Sequence, residues 1–311
     1  MLAAAVEDFR RVPGVRVSTV LGAELRAEPA VAAAVAGWPD VAVTWADDEP
    51  AAFRAAAAAA DYALVIAPEF DGILEARCRW AVDAGAALLG PSPAAVALTA
   101  DKLALARHLE LAGVPTPETI PAERALPDFP PPYVLKLRHG AGSQEMMVFT
   151  GSPRAADIIL AAAEIGEMIL QPLIVGLPAS VSFLIGPRRT HVLPPAEQFV
   201  SVAGNFHYLG GQAPLPSPLA ERAVRVARRA IDAVDGLSGY VGVDVVLGDT
   251  GDRVIEINPR LTTSYVGLRA LAADNLMGVL LRLARGESVP EPRWHAGGVR
   301  WTAAGQVERL N

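Results

Sequence analysis

The run GYVGVDVVLGDTGDRVIEINPR, from Gly239 to Arg260, constrains this chain more than any other stretch. Two apolar segments flank GDTGD, a cluster of turn residues, so the run folds back as a β-hairpin turned at 248–252. Strand side chains alternate between faces, so Glu256 and Asn258 point the same way. The fold-back brings Asp244 opposite Glu256. Two carboxylates on an apolar sheet repel each other and lose hydration unless a cation joins them. With the amide oxygen of Asn258 they form an oxygen-only set that suits Mg²⁺ when substrate phosphates complete its shell; Mn²⁺ would accept the same donors. The alternative is a solvated edge hairpin, against which the apolar VVL and VIEI segments stand.

A second stretch, YVLKLRHGAGSQEM, places Lys136 inside an apolar strand and follows it with a loop holding Gly140, Gly142 and Ser143. A buried ammonium needs a partner. Small loop residues let backbone N–H groups approach an anion, so the pair reads as a phosphate cradle. It is not a P-loop, because no Gly-Lys-Ser/Thr follows. A plain hairpin turn with a snorkelling lysine is the alternative.

Around these stretches the chain is α/β. Residues 1–98 alternate helices with short apolar strands, the pattern of a parallel sheet covered on both faces. The chain opens directly on the helix LAAAVEDFRR. A parallel unit is built strand, helix, strand. We therefore expect the first strand of this domain to be missing, with the true start upstream and one strand fewer in the sheet. PSPAAVALTADKLALARHLELAG gives two short helices, with Thr99 as N-cap of the second. Residues 126–132 form a Pro-rich lead-in to the strand YVLKLR, which pairs with MMVFT. A helix over 153–165 follows, then MILQPLIVG and SVSFLIG as a strand pair. NFHYLGGQAP reads as a Gly/Pro-rich loop, where His207 and Tyr208 serve either specificity or plain connection. Helices over 218–235 and 265–285 and a strand GGVRWTA complete the chain. The divisions fall at 1–98, 99–175 and 176–311.

Composition excludes several classes. A net charge of -7 argues against a general nucleic-acid binder. The 52% hydrophobic content is inflated by alanine, and no window reaches the ~18 apolar residues of a membrane span. The N-terminus carries acids where a secretion signal carries bases, so a cytoplasmic protein is expected. A lone cysteine, Cys78, forms no internal disulfide and reads as a half-buried helical residue rather than a nucleophile.

DKLALARHLELAGVPTPET, YVLKLRHGAGSQ, ILQPLIVGLPASVSFL and the hairpin ending in INPR occur in the order and spacing of ATP-grasp enzymes. The resemblance covers about 99–270, and residues 1–98 fit the domain that precedes it in that superfamily. FHYLGGQAP and INPRLTTSYVGLR look most like the tyramine–glutamate ligases of methanofuran biosynthesis. The resemblance implies a two-lobed ATP-grasp domain with lobes 99–175 and 176–311. It implies that Lys102 and Lys136 contact ATP phosphates, that the loop with Gly140, Gly142 and Ser143 covers them, and that Gln171, Leu173 and Ile174 meet adenine. Asp244, Glu256 and Asn258 hold magnesium, and Arg260 is a candidate for the transferred phosphoryl or the substrate carboxylate. The implied reaction is amide formation through an acyl phosphate, with small-molecule amino acid and amine substrates and compatibility with a homodimer. For glutamate and tyramine or tyrosine, Arg260, Arg269, Thr262 and Thr263 would hold the acid, while Tyr208, Phe206 and Tyr265 would wall the ring. Another amino-acid pair, or a nucleotide-binding regulator without turnover, remains open. The chain departs from related ligases at Pro172, Pro178 and Gly242; at the last, D-alanine–D-alanine ligases carry an arginine.

Overall fold

The first helix, α1 (Leu2–Arg10), packs into a core that residues from both ends of the sequence share. Its Ala4 and Ala5 enter a core with Leu184, Tyr240, Leu268, Leu276 and Trp301, all far along the chain. Asp8, 6% exposed, fastens it there. Its carboxylate accepts from Arg269 Nε at 2.8 Å and Nη2 at 2.6 Å and from the Tyr265 hydroxyl, while Asn275 Nδ2 donates to its carbonyl at 2.6 Å. The computed structural model describes residues 1–122, 130–140, 146–151, 157, 166–201 and 206–310.

The rest of the N-terminal domain runs β1 (Ser18–Gly22), α2 (Pro29–Ala36), β2 (Ala42–Ala46), α3 (Glu49–Ala58), β3 (Tyr62–Ala63), α4 (Ile73–Asp83) and β4 (Ala87–Leu88). Asp48 caps α3 by accepting from Ala51 N at 3.1 Å, ahead of a proline in the first turn. β1 and β2 are parallel, as are β3 and β4, yet among the described residues they form two separate two-stranded pieces. The strand expected over YALVIAP pairs only at Tyr62 and Ala63. Cys78 on α4 is buried, and burial, helped by Glu75, pushes its thiol up to about 12.

Two helices link this domain to the next, α5 (Pro93–Ala100) and α6 (Lys102–Leu111). Thr99 is not the cap expected of it. Its hydroxyl turns back to Ala95 O at 2.8 Å, and Asp101 caps α6 by accepting from Leu103 N and Ala104 N at 3.1 and 3.0 Å. A carboxylate at a helix N-terminus outcompetes a hydroxyl because it also meets the helix dipole.

A first sheet contains β5 (Ile120–Pro121), β6 (Tyr133–Leu137), β7 (Met147–Phe149) and β8 (Met168–Pro172), in the order β5-β8-β6-β7. A larger sheet contains β9 (Leu177–Ile185), β10 (Thr190–Val192), β11 (Ala196–Val200), β12 (Tyr208–Ala213), β13 (Gly239–Gly248), β14 (Gly251–Asn258), β15 (Gly298–Thr302) and β16 (Val307–Leu310). Its order is β14-β13-β9-β11-β12-β15-β16, with β10 on β9. Helix α7 (Ser217–Asp232) lays Ala223, Val226, Ala227 and Ala230 on this sheet.

Three expectations change. MILQP and SVSFLI are not a strand pair: β8 and β9 enter different sheets. The stretch 208–213 is a strand rather than a loop, and its two glycines lie against Trp301, where added Cβ atoms would come within 2.0 Å of Trp301 O and 2.7 Å of its ring. The single helix over 265–285 is two, α8 (Ser264–Leu271) and α9 (Leu276–Ala284), because Asn275 caps a new start by accepting from Gly278 N at 3.0 Å. The helix over 153–165, apart from residue 157, and linker residues 126–129 lie outside the described residues. Among the described residues no helix is long and apolar enough to cross a membrane.

Candidate active site

The two sheets of the C-terminal part face each other across a cavity of about 580 Å³. Lys136 and Gln171 line it from the first sheet, and Gln198, Asp244 and Glu256 from the second. Lys136 lies on β6 between β7 and β8, opposite Ile169, and is 4% exposed. Its pKa falls to about 8: burial lowers it most and Lys102 adds to that, against the opposing charges of Glu256 and Asp244.

The hairpin has the expected register, with Asp244 opposite Glu256 and Gly242 opposite Asn258. One irregularity falls between Asp244 and Val245, where β14 carries an extra residue, Ile255. The resulting bulge turns both Ile255 and Glu256 toward the cavity, a common device beside functional sites. Asp244 is held by Gln198 Nε2 at 2.8 Å and Asn258 Nδ2 at 3.0 Å. Burial and the neighbouring Glu256 charge raise its pKa well above its ordinary value. Burial also works to raise Glu256, but Lys102, Lys136, Asp244 and Arg260 together bring it below its ordinary value. Among the described residues no three His, Cys, Asp or Glu side chains converge on one point. The donor set of Asp244, Glu256 and Asn258 fits a hard cation that takes its remaining oxygens from a bound phosphate.

Lys102 enters through the start of α6. Its backbone N donates to Arg138 O at 3.1 Å, and Arg138 grips the capping Asp101 with Nε at 2.8 Å and Nη2 at 2.5 Å. The Lys102 ammonium donates to the carbonyl of Gly140, so both lysines and the start of the glycine loop meet at one end of the cavity. Gly142 and Ser143 lie outside the described residues. Gln171, Leu173 and Ile174 line the cavity where β8 ends; Gln171 is fixed by donating to Thr119 Oγ1 at 2.7 Å.

The remaining expected residues are less gathered. Arg260 Nε lies 2.8 Å from Glu69 Oε1, a buried charge contact between the NPR loop and the N-terminal domain. Glu69 is 7% exposed, and its other oxygen accepts no hydrogen bond. Arg269 does not reach this site: it is committed to Asp8 and Glu7 of α1. Tyr265 is fully buried and bonded to Asp8, so it is no wall for a ligand. Thr262 shares a hydroxyl cluster with Tyr240 at 3.1 Å and Ser264 at 2.6 Å, and Tyr240 also donates to Ser182 at 2.7 Å. Thr263 precedes α8 as its N-cap residue, without a side-chain cap bond. Tyr208 accepts from Trp301 Nε1 at 2.7 Å, and burial pushes its phenol up to about 12. Phe206 lines the cavity. An arginine at Gly242 has no room: a Cβ there would sit 2.8 Å from Thr262 Cγ2.

Sequence reasoning missed Gln198 and Glu69. The alternation in AEQFV could have revealed a strand presenting Gln198 to a sheet face. Nothing local signals that Glu69, in a loop after β3, pairs with a residue 191 positions later.

The model of the ATP-grasp domain matches residues 99–264, and that of the pre-ATP-grasp 3 domain matches 15–96. The chain belongs to the ATP-grasp family, whose fold binds ATP. It is 29% identical over 229 residues to the tyramine–L-glutamate ligase of Methanocaldococcus jannaschii, covering 74% of this chain and 64% of that one. The match thus spans a little under two thirds of that relative's length. The crystal structure of an ATP-grasp superfamily protein from Archaeoglobus fulgidus superposes with a TM-score of 0.62 at 29% identity, over 84% of this chain and 74% of the other. Biotin carboxylase from Campylobacter jejuni, in a β,γ-ATP complex, superposes with a TM-score of 0.76 at 16% identity, over 96% and 72% of the two chains, and shares the fold.

Proposed function

We propose that this chain is an ATP-dependent carboxylate–amine ligase that joins L-glutamate to tyramine or tyrosine. The observation that carries the ligase reading is the buried Lys136 sharing one cavity with the Asp244–Glu256 pair. Cation and carboxylates in a desolvated space suit a polyphosphate that arrives with its own metal. Asp244, Glu256 and Asn258 would hold Mg²⁺, which offsets phosphate charge when bound. Lys102 and Lys136 bind and orient the phosphates. The substrate carboxylate oxygen attacks the γ-phosphorus and the bond to ADP breaks, giving an acyl phosphate. The free amine then attacks the acyl carbon, phosphate leaves, and the nitrogen gives up a proton. The apolar cavity walls, among them Phe206 and Val245, keep water from the acyl phosphate.

The substrate reading rests on the identity to the Methanocaldococcus jannaschii ligase. With Arg269 engaged elsewhere, Arg260 is the cation that would meet the acid's charge, in competition with Glu69. The test is a coupled ADP-release assay with Mg-ATP, glutamate and tyramine, tyrosine or phenethylamine, with the amide identified by mass. ADP and amide with a phenol amine support the proposal. Turnover only with another amino-acid pair removes the substrate assignment and keeps the ligase; no turnover with any acid and amine removes both.

A further inference from the structure

Two buried side-chain atoms beside the carboxylate hairpin have no hydrogen-bond partner among the described residues, and they belong to one ion pair: Arg260 Nε and Glu69 Oε2. Arg260 Nε lies 2.8 Å from Glu69 Oε1, and the two side chains are only 14% and 7% exposed, yet the N–H does not point at that oxygen. The guanidinium spends a further bond on its own loop, Nη1 to Leu261 O at 3.1 Å. The pair is balanced in charge and unbalanced in hydrogen bonds. A donor and an acceptor buried side by side and left open are costly, and such groups mark sites with a use.

The pair joins two parts of the molecule. Arg260 stands just after β14, the strand that carries Glu256 and Asn258. Glu69 comes from the N-terminal domain, in the turn between β3 and α4. That turn holds Asp71 at a φ of 54°, left-handed for a residue with a side chain, and Gly72 after it at 66°. Backbone of this kind collects at active sites and ligand clamps. The space beside Arg260, lined also by Gly90, Tyr240 and Pro259, is about 10 Å³, the room of about one water. A substrate group therefore reaches the pair by exchanging partners with it.

The chemistry of that exchange is selective. A plain carboxylate draws Arg260 to itself and leaves the Glu69 carboxylate buried without a counter-charge, which is the costly way to break a buried pair. An α-amino acid re-pairs both partners, because its ammonium nitrogen lies roughly 2.5 Å from its carboxylate carbon. Arginine suits the carboxylate end, and a free carboxylate oxygen accepts from the ammonium end. We propose that Glu69 is a specificity-determining residue: it receives the ammonium group of the acid substrate while Arg260 takes the neighbouring carboxylate, so the site selects amino acids over the same acids without nitrogen. The proposal rests on the ligase reading for where the acid sits, and it gives the N-terminal domain a direct part in choosing that acid.

The test is calorimetry on the 311-residue chain with Mg²⁺ and a non-hydrolysable ATP analogue. L-Glutamate is titrated against glutarate, which lacks only the ammonium, with tyramine as a third ligand; the other common amino acids follow, each against its deaminated acid. The unaltered chain binds its amino acid about 10²-fold more tightly than the deaminated acid. Glu69→Gln binds the two within about threefold of each other, while retained binding of the ATP analogue shows that the variant is folded. Glu69→Asp, which keeps the charge on a shorter arm, retains about a tenfold preference and serves should Glu69→Gln fail to fold. A full preference persisting in the variants, equal losses for both acids, or a change confined to tyramine overturns the proposal. So does the absence of binding by any amino acid. ADP release is read separately: Glu69-dependent binding without turnover removes the ligase reading and keeps this assignment, and turnover with an unaltered preference in the variants does the reverse.

Discussion

The strands of the large sheet and those of the N-terminal domain start from similar sequence, yet they end in different environments. In β9 and β13, Val181, Phe183, Leu184, Val241 and Val243 are all fully buried. In β1 and β2, with one valine each, only Leu21 and Ala46 are buried. Each strand of the first pair has a ladder partner on both edges and a packed layer on its faces. Among the described residues, each strand of the second has a partner on one edge only. Apolar composition makes a strand; neighbours on both sides make it an interior. The chemistry-bearing groups lie on the continuous sheets, and there burial is deep enough to move Lys136 and Asp244 far from their ordinary titration.

The sharpest way to break this comparison is at the charged pair. Glu256→Gln and Lys136→Ala should each cut ADP release by about 10³-fold while circular dichroism stays unchanged, because each removes preorganised charge rather than packing. Near-normal turnover in either variant would place the chemistry elsewhere. In the same sheet, Leu184→Ala empties a fully buried site and should cost about 2–5 kcal/mol in urea unfolding.

A smaller effect comes from pH. The Lys136 ammonium, held at about 8 in the free protein, binds phosphate only when protonated. Raising pH from 7 to 9 takes it through that value, so MgATP affinity should fall about tenfold by titration calorimetry. Lys136→Met should bind weakly throughout and lack the inflection; an unchanged profile in that variant would assign the proton to another group. The smallest effect belongs to the open edge. Val20→Ala on half-buried β1 should cost no more than about 1 kcal/mol, and a cost equal to that of Leu184→Ala would erase the contrast between the regions.

The hairpin was legible because its determinants are local: turn residues, strand alternation and two acids at matching distances from the turn. Lys136 was legible as an anomaly in an apolar strand. The bulge at Ile255 was not, since one extra residue leaves the alternation of Glu256 and Asn258 intact. Gln198 was hidden because β11 gains its strand character from β9 and β12 rather than from a long apolar run of its own. Arg269 was misjudged for a related reason. It follows the loop after Asn258 in sequence and looks available, but the acid that pairs with it is Asp8 on α1, 261 residues earlier.

That contact has a consequence in time. Asp8 leaves the ribosome about 260 residues before Arg269 and Asn275, the groups that hold it in the folded protein. At synthesis rates of roughly 5–20 residues per second, α1 waits on the order of 13–50 s for its seat to exist. During that interval its apolar face, Ala4 and Ala5, has no native partner in the C-terminal core. α1 is thus made early and seated late, after the helices that hold Asp8 exist.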